Sequence, residues 1–244
     1  MMDSYKKLFV NILFIIFIII LFSGFVLADQ CYVLNYNNQG EEIIVNTKHA
    51  ILYIEKDYIN KDEVYNIANK IEKGIRVLKE YLGKKNIKYN FEEMGKIEYY
   101  IQSGNKPSNV IRSSRSVKLY NVHLEQSPYI HETAHILLDE NQIEIPDTWL
   151  TEGLPTYLNS KFAEYPPELI GDKNDPDKLA REIIQKDKYK AVLEEFPKRY
   201  YSNNDEKWVY YSLAGSFIDY IVSKYGKEKI LKLYEAKRKE TTTI

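Results

Sequence analysis

Hydrophobic positions along the chain change their period twice. Residues 8–28 are apolar with almost no break, interrupted only by Asn11 and by Ser23-Gly24. After them, residues 31–35, 42–46 and 49–55 form short runs rich in β-branched and aromatic side chains, which predict strands. From residue 62 to 82 the spacing lengthens: Val64, Ile67, Ala68, Ile71, Ile75, Leu78 and Leu82 recur every three or four positions, as an amphipathic helix requires, and Gly83 supplies the stop. Residues 97–102 and 117–124 read as further strands, and beyond about residue 127 helical spacing dominates. A strand-rich part at about 29–126 followed by a metal-site and mainly helical part at about 127–240 predicts an α+β fold.

The apolar run at the amino end is a targeting segment, because Lys6-Lys7 precede it and nothing like it recurs. It reads either as a signal peptide removed after Ala28 or, at roughly 20 residues, as a retained membrane anchor. Either outcome holds the domain at 29–244 outside the cytoplasm, since the lysine pair keeps the amino end inside. Cys31 is the only cysteine, so no intramolecular disulfide forms. The formal net charge is −1, and losing Asp3, Lys6 and Lys7 with the leader takes it to −2. That balance lacks the basic excess of a nucleic-acid binder.

Chemistry concentrates at His131-Glu132-Thr133-Ala134-His135, which takes two of the four histidines in the chain. On a helix, positions i and i+4 lie about 40° apart on one face, so both imidazoles reach one ion, and HExxH is the spacing a hydrolytic zinc uses. Glu132, one step round, is placed to act on a water as general base. A catalytic zinc usually takes three protein ligands, and His2Glu is one of the standard sets. Residues 147–158 predict a second helix with Trp149, Leu150, Leu154 and Leu158 on its apolar face, a cap at Asp147 or Thr148, and Glu152 in its middle. The short connection before it allows this helix to fold back beside the first, making Glu152 the candidate third ligand.

HETAH followed by Trp149-Leu150-Thr151-Glu152-Gly153-Leu154-Pro155-Thr156-Tyr157-Leu158 resembles the gluzincin metallopeptidases, in particular peptidase MA-like domains. The resemblance covers about residues 115–235. It implies a zincin-like fold, one zinc ion held by His131, His135 and Glu152, Glu132 as catalytic base, and a peptide or protein as substrate. The stretch from Tyr211 to Ile230 resembles the helical segment that ends such domains. There the resemblance implies a tyrosine that stabilises the oxyanion: Tyr211 by its spacing to Ala214-Gly215-Ser216-Phe217, with Tyr210 as competitor. Two departures stand out. The gap from His135 to Glu152 is short for the family, and Pro155 replaces its usual alanine, which predicts a helix that kinks or begins late.

In gluzincins the sheet edge beside the metal helix pairs with an extended peptide, and residues 117–124 are the nearest candidate for that edge. Asp139 stands one helical turn past His135, where a carboxylate can orient an imidazole. His123, Arg112 and Arg115 read most simply as partly exposed strand and loop residues. The sequence thus predicts an exported zinc metallopeptidase. The competing reading is an inactive zinc-containing binding module on the cell surface, against which stands Glu132, a carboxylate that a purely structural zinc site does not need.

Overall fold

The computed structural model describes residues 35–39, 42–56, 58–104, 106–111, 113–120, 122, 127–138, 148–164, 175–197 and 204–242. The leader, Cys31, Arg112, His123, Asp139 and Asp147 therefore lie outside the described residues. Six strands form one mixed sheet: β1 (Asn35–Gln39), β2 (Glu42–Asn46), β3 (Ala50–Glu55), β4 (Ile97–Gln102), β5 (Asn109–Ile111) and β6 (Ser116–Tyr120), in the order β1-β2-β3-β4-β6-β5. The pairs β1–β2 and β2–β3 are antiparallel, β3–β4 and β4–β6 are parallel, and β5 is antiparallel to β6.

Alternation decides which side of the sheet is covered. Ala50, Leu52 and Ile54 of β3, Ile97, Tyr99 and Ile101 of β4, and Val117 and Leu119 of β6 are completely buried. Their neighbours along each strand point the other way and, apart from the buried Ser116, stay partly or fully exposed, with Tyr53 and Tyr100 stacked at 5.1 Å. The buried side packs with α1 (Lys61–Leu82), which connects β3 to its parallel neighbour β4 by way of the single turn α2 (Phe91–Met94). The Asn60 side chain accepts the N–H groups of Asp62 and Glu63, and Glu63 accepts the Asn60 N–H, so α1 opens with a capping box. It closes at Gly83, whose φ of 74° favours glycine.

The metal-motif helix α3 (Tyr129–Leu138) joins this first core through Ile130, Ala134, Ile136, Leu137 and Leu138. The Leu137 carbonyl, which has no helical partner at the end of α3, accepts from the backbone N–H of Lys88 at 2.8 Å. Next come α4 (Thr148–Phe162), α5 (Pro176–Ile184), α6 (Lys190–Glu195), α7 (Asn204–Tyr225) and α8 (Lys227–Thr242). A second core forms among α5, α6 and the first half of α7, from Leu179, Ile183, Val192, Val209, Tyr210 and Leu213, and Trp149 of α4 touches both cores. The architecture is mixed α and β: two helices fall between β3 and β4, and only helices follow β6 among the described elements.

Two expectations need correcting. The described part of the expected edge at residues 117–124 belongs to β6, which is not the outer strand: β5 pairs with it, so among the described residues β5 is the edge strand next to α3. The expected strand at 31–35 falls, apart from Asn35, outside the described residues; the first described strand is the polar run Asn35–Gln39, which pairs through its backbone across a hairpin with β2. Finally, α4 does not begin late: it is helical from Thr148 and runs through Pro155 to Phe162. The proline costs one ladder bond, that to the Thr151 carbonyl, and the buried Leu150, Leu154 and Leu158 hold the helix in place.

Candidate metal centre

Two helices supply the donors. On α3, His131 and His135 sit one turn apart, and their Nε2 atoms approach to 3.0 Å with the rings edge to face. Across from them on α4, Glu152 brings Oε2 to 3.3 Å from the Nε2 of His131 and 3.6 Å from that of His135. Among the described residues this is the only group of three such side chains able to hold a metal ion. The triangle matches what a cation demands. Bonds of about 2.0–2.1 Å at tetrahedral angles put donor atoms about 3.3–3.4 Å apart.

The second test is whether these atoms have other work. Glu152 Oε2 is buried and, close as it lies to both rings, makes no hydrogen bond of acceptable geometry. A buried acceptor without a donor is costly in an ordinary interior and natural for an atom aimed at a cation. Burial pushes the Glu152 carboxyl up, but the two imidazoles outweigh it and hold the group well below the usual carboxylate range. The residues present therefore fit a divalent metal ion.

Neighbouring side chains fix the two helices. Asn159, two turns after Glu152 on α4 and only 6 % exposed, accepts the backbone N–H of His131 at 3.3 Å. Thr133 donates its hydroxyl to the Tyr129 carbonyl at 2.5 Å, so the 2.7 Å contact from Tyr99 on β4 must have Tyr99 as donor. That chain locks α3 to the middle of the sheet. Gly153 lets α4 meet α7 almost backbone to backbone: a Cβ built there would lie 2.9 Å from the Ala214 carbonyl oxygen.

Glu132 is 7 % exposed and sits beside the donor triangle. Burial pushes its carboxyl up, the charges of His131 and His135 pull it down, Glu152 raises it, and Lys207 lowers it again. The two tyrosine candidates separate. Tyr211 lays its ring parallel to His131 at 5.9 Å, whereas Tyr210 packs edge-on against Phe196 and donates its hydroxyl to the Pro197 carbonyl at 3.1 Å. Arg115 stands in the turn between β5 and β6 with a φ of 51°.

Asn159 and Lys207 are the site neighbours that sequence reasoning missed. Each carried a signal in the form of helical spacing: Asn159 falls seven residues after Glu152, on nearly the same face, and Lys207 falls four before Tyr211. Compared with known protein families and with curated protein sequences, the chain matches no family model and no curated protein.

Proposed function

We propose that the chain is a zinc metallopeptidase with a zincin-like fold, in which His131, His135 and Glu152 hold the ion and Glu132 is the general base. One observation carries this reading: two Nε2 atoms and the orphaned Glu152 Oε2 converge beside a second buried carboxylate. Zinc is the metal favoured by a His2Glu set, and when bound it supplies Lewis acidity, polarising a peptide carbonyl and lowering the pKa of water to about 7.

The side chains carry the rest. Glu132 takes the proton from the attacking water, the oxygen adds to the peptide carbonyl carbon, and the same carboxyl returns the proton to the leaving amine as the C–N bond breaks. Tyr211 donates to the oxyanion of the tetrahedral stage, a contact whose loss commonly costs about a hundredfold or more in rate. Its ring position against His131 supports this choice over Tyr210. An extended substrate pairs with the free edge of β5 beside α3, which gives binding through main-chain hydrogen bonds. The lysine pair and the apolar run at residues 8–28 support an extracytoplasmic enzyme, secreted or tethered to the membrane.

The test is turnover of a fluorogenic peptide library by zinc-loaded protein, with and without chelator. Cleavage should be abolished by chelator, and Glu132→Gln should keep one zinc per chain while losing a factor of about 10²–10⁴ in rate. Near-normal turnover by Glu132→Gln overturns the assigned base. A library left uncut by the wild-type protein overturns the peptidase in favour of a zinc-containing binding module.

A further inference from the structure

Lys207 is the cation that the mechanism above leaves unused. It lies in the first turn of α7, four residues before Tyr211, with Nζ 5.4 Å from the centre of the Tyr211 ring. That ring in turn lies 5.9 Å from His131. Trp208 meets Tyr211 edge-on at 5.5 Å, so the ammonium stands beside an aromatic wall rather than in open water. Lys207 is half-buried, and among the described residues no carboxylate forms an ion pair with it.

Its position is also unfavourable for the helix. A cation in the first turn opposes the macrodipole, which favours acids at that end. Aromatic faces hold an ammonium without neutralising it, and although the charge is felt by Glu132 it is tied up in no ion pair with that acid, so it can attract a further anion where hydration is reduced. Extended peptide advances about 3.3 Å per residue, so a chain whose bond sits at His131, His135 and Glu152 brings its neighbouring residues within reach of Nζ.

We propose that Lys207 is a specificity-determining residue that selects peptides carrying a carboxylate next to the bond held at the metal set. The inference rests on the reading that peptides bind at this site. The carboxylate comes from an acidic side chain or from a free chain end, and the two arms of the test separate these sources.

Affinity rather than turnover is the readout, measured by fluorescence anisotropy on zinc-loaded Glu132→Gln protein. In one arm, end-blocked peptides differ only by Glu against Gln beside the central bond; in the other, neutral peptides differ only by a free or amidated carboxyl end. In at least one arm the acid should bind about tenfold more tightly than its amide, a gap that shrinks with added salt. Lys207→Met should close the gap, Lys207→Arg should retain it, and Lys207→Glu should invert it. Zinc content and thermal melting of each variant show that the fold persists.

No gap in either arm, or a gap that survives Lys207→Met, overturns the inference. Cleavage by the wild-type protein without such a gap removes this inference and leaves the peptidase standing. A Lys207-dependent gap in a protein that cuts no peptide does the reverse.

Discussion

Two carboxylates in this fold are shielded and face histidines, and they differ in how completely their oxygens are used. Glu72, on α1, is 3 % exposed; its Oε2 accepts from the Thr47 hydroxyl at 2.6 Å and from the His49 backbone N–H at 2.9 Å, and its Oε1 meets His49 Nδ1 at 2.5 Å. Lys79 stands behind, with Nζ 3.0 Å from His49 Nε2. Every oxygen has a donor, and the cluster ties α1 to the turn between β2 and β3. Glu152 meets two imidazoles, yet its Oε2 has no hydrogen bond. Both acids are held below the ordinary range against the effect of burial, Glu152 the further, so the direction of the shift does not separate them. Completeness of hydrogen bonding does: one acid fastens the fold and the other keeps an oxygen that could meet a cation.

The sharpest way to break that contrast is to neutralise each acid in turn. Glu152→Gln should weaken zinc binding by more than about a hundredfold, beyond the roughly 10–100-fold typical for loss of an outer partner of a ligand. Glu72→Gln should leave zinc affinity unchanged in a competition titration against a chromophoric chelator. Equal losses would erase the distinction.

Metal removal comes next. With free zinc at about 100 times Kd, a bound ion adds about 2.7 kcal/mol, and its removal should lower Tm by roughly 5–10 °C. Calorimetry should find that drop in the wild-type protein and in Glu72→Gln, and no more than about 1–2 °C in Glu152→Gln. In the metal-free protein the order reverses. Glu72→Gln should cost about 1–3 kcal/mol in urea unfolding, because hydrogen bonds to a charged acceptor are lost in a buried place.

The smallest effect is in acid. Burial opposes the charged form of Glu72, but the bonds from Thr47 and His49 prevail and hold its folded carboxyl below the ordinary value of 4.5. A depressed acid stabilises the fold above its unfolded value, and that contribution disappears as pH falls from 4.5 through the folded one. Unfolding measured over this window should therefore show a shallower acid loss in Glu72→Gln than in the wild-type protein, with Thr47, His49 and Lys79 still facing the position.

What could be read in advance followed the range of the signal. Seven apolar residues of α1 recur with helical period, and all seven are buried. Strands 42–46 and 97–102 alternate cleanly and occur at those bounds. Helical spacing alone makes His131 and His135 neighbours, so their pairing was legible. Glu152 required a guess about how α4 folds back, and the contact is made by tertiary packing at Gly153, Ala214 and Asn159. The three residues of β5 are too few to show alternation, which hid the true edge strand. Helical spacing places Lys207 near Tyr211, but its proximity to the site depends on where α7 packs on α4, which no local pattern encodes.

The grip of α4 on α3 has one more consequence. Glu152 and Asn159 stand seven residues, or about 10.5 Å, apart along α4, one reaching the imidazoles and the other the His131 main chain. Two fastenings at that separation remove both sliding and swivelling between the helices, so the cradle keeps its shape before anything enters it. Little freedom is left to surrender on capture, and more of the intrinsic attraction between donors and ion survives as measured affinity.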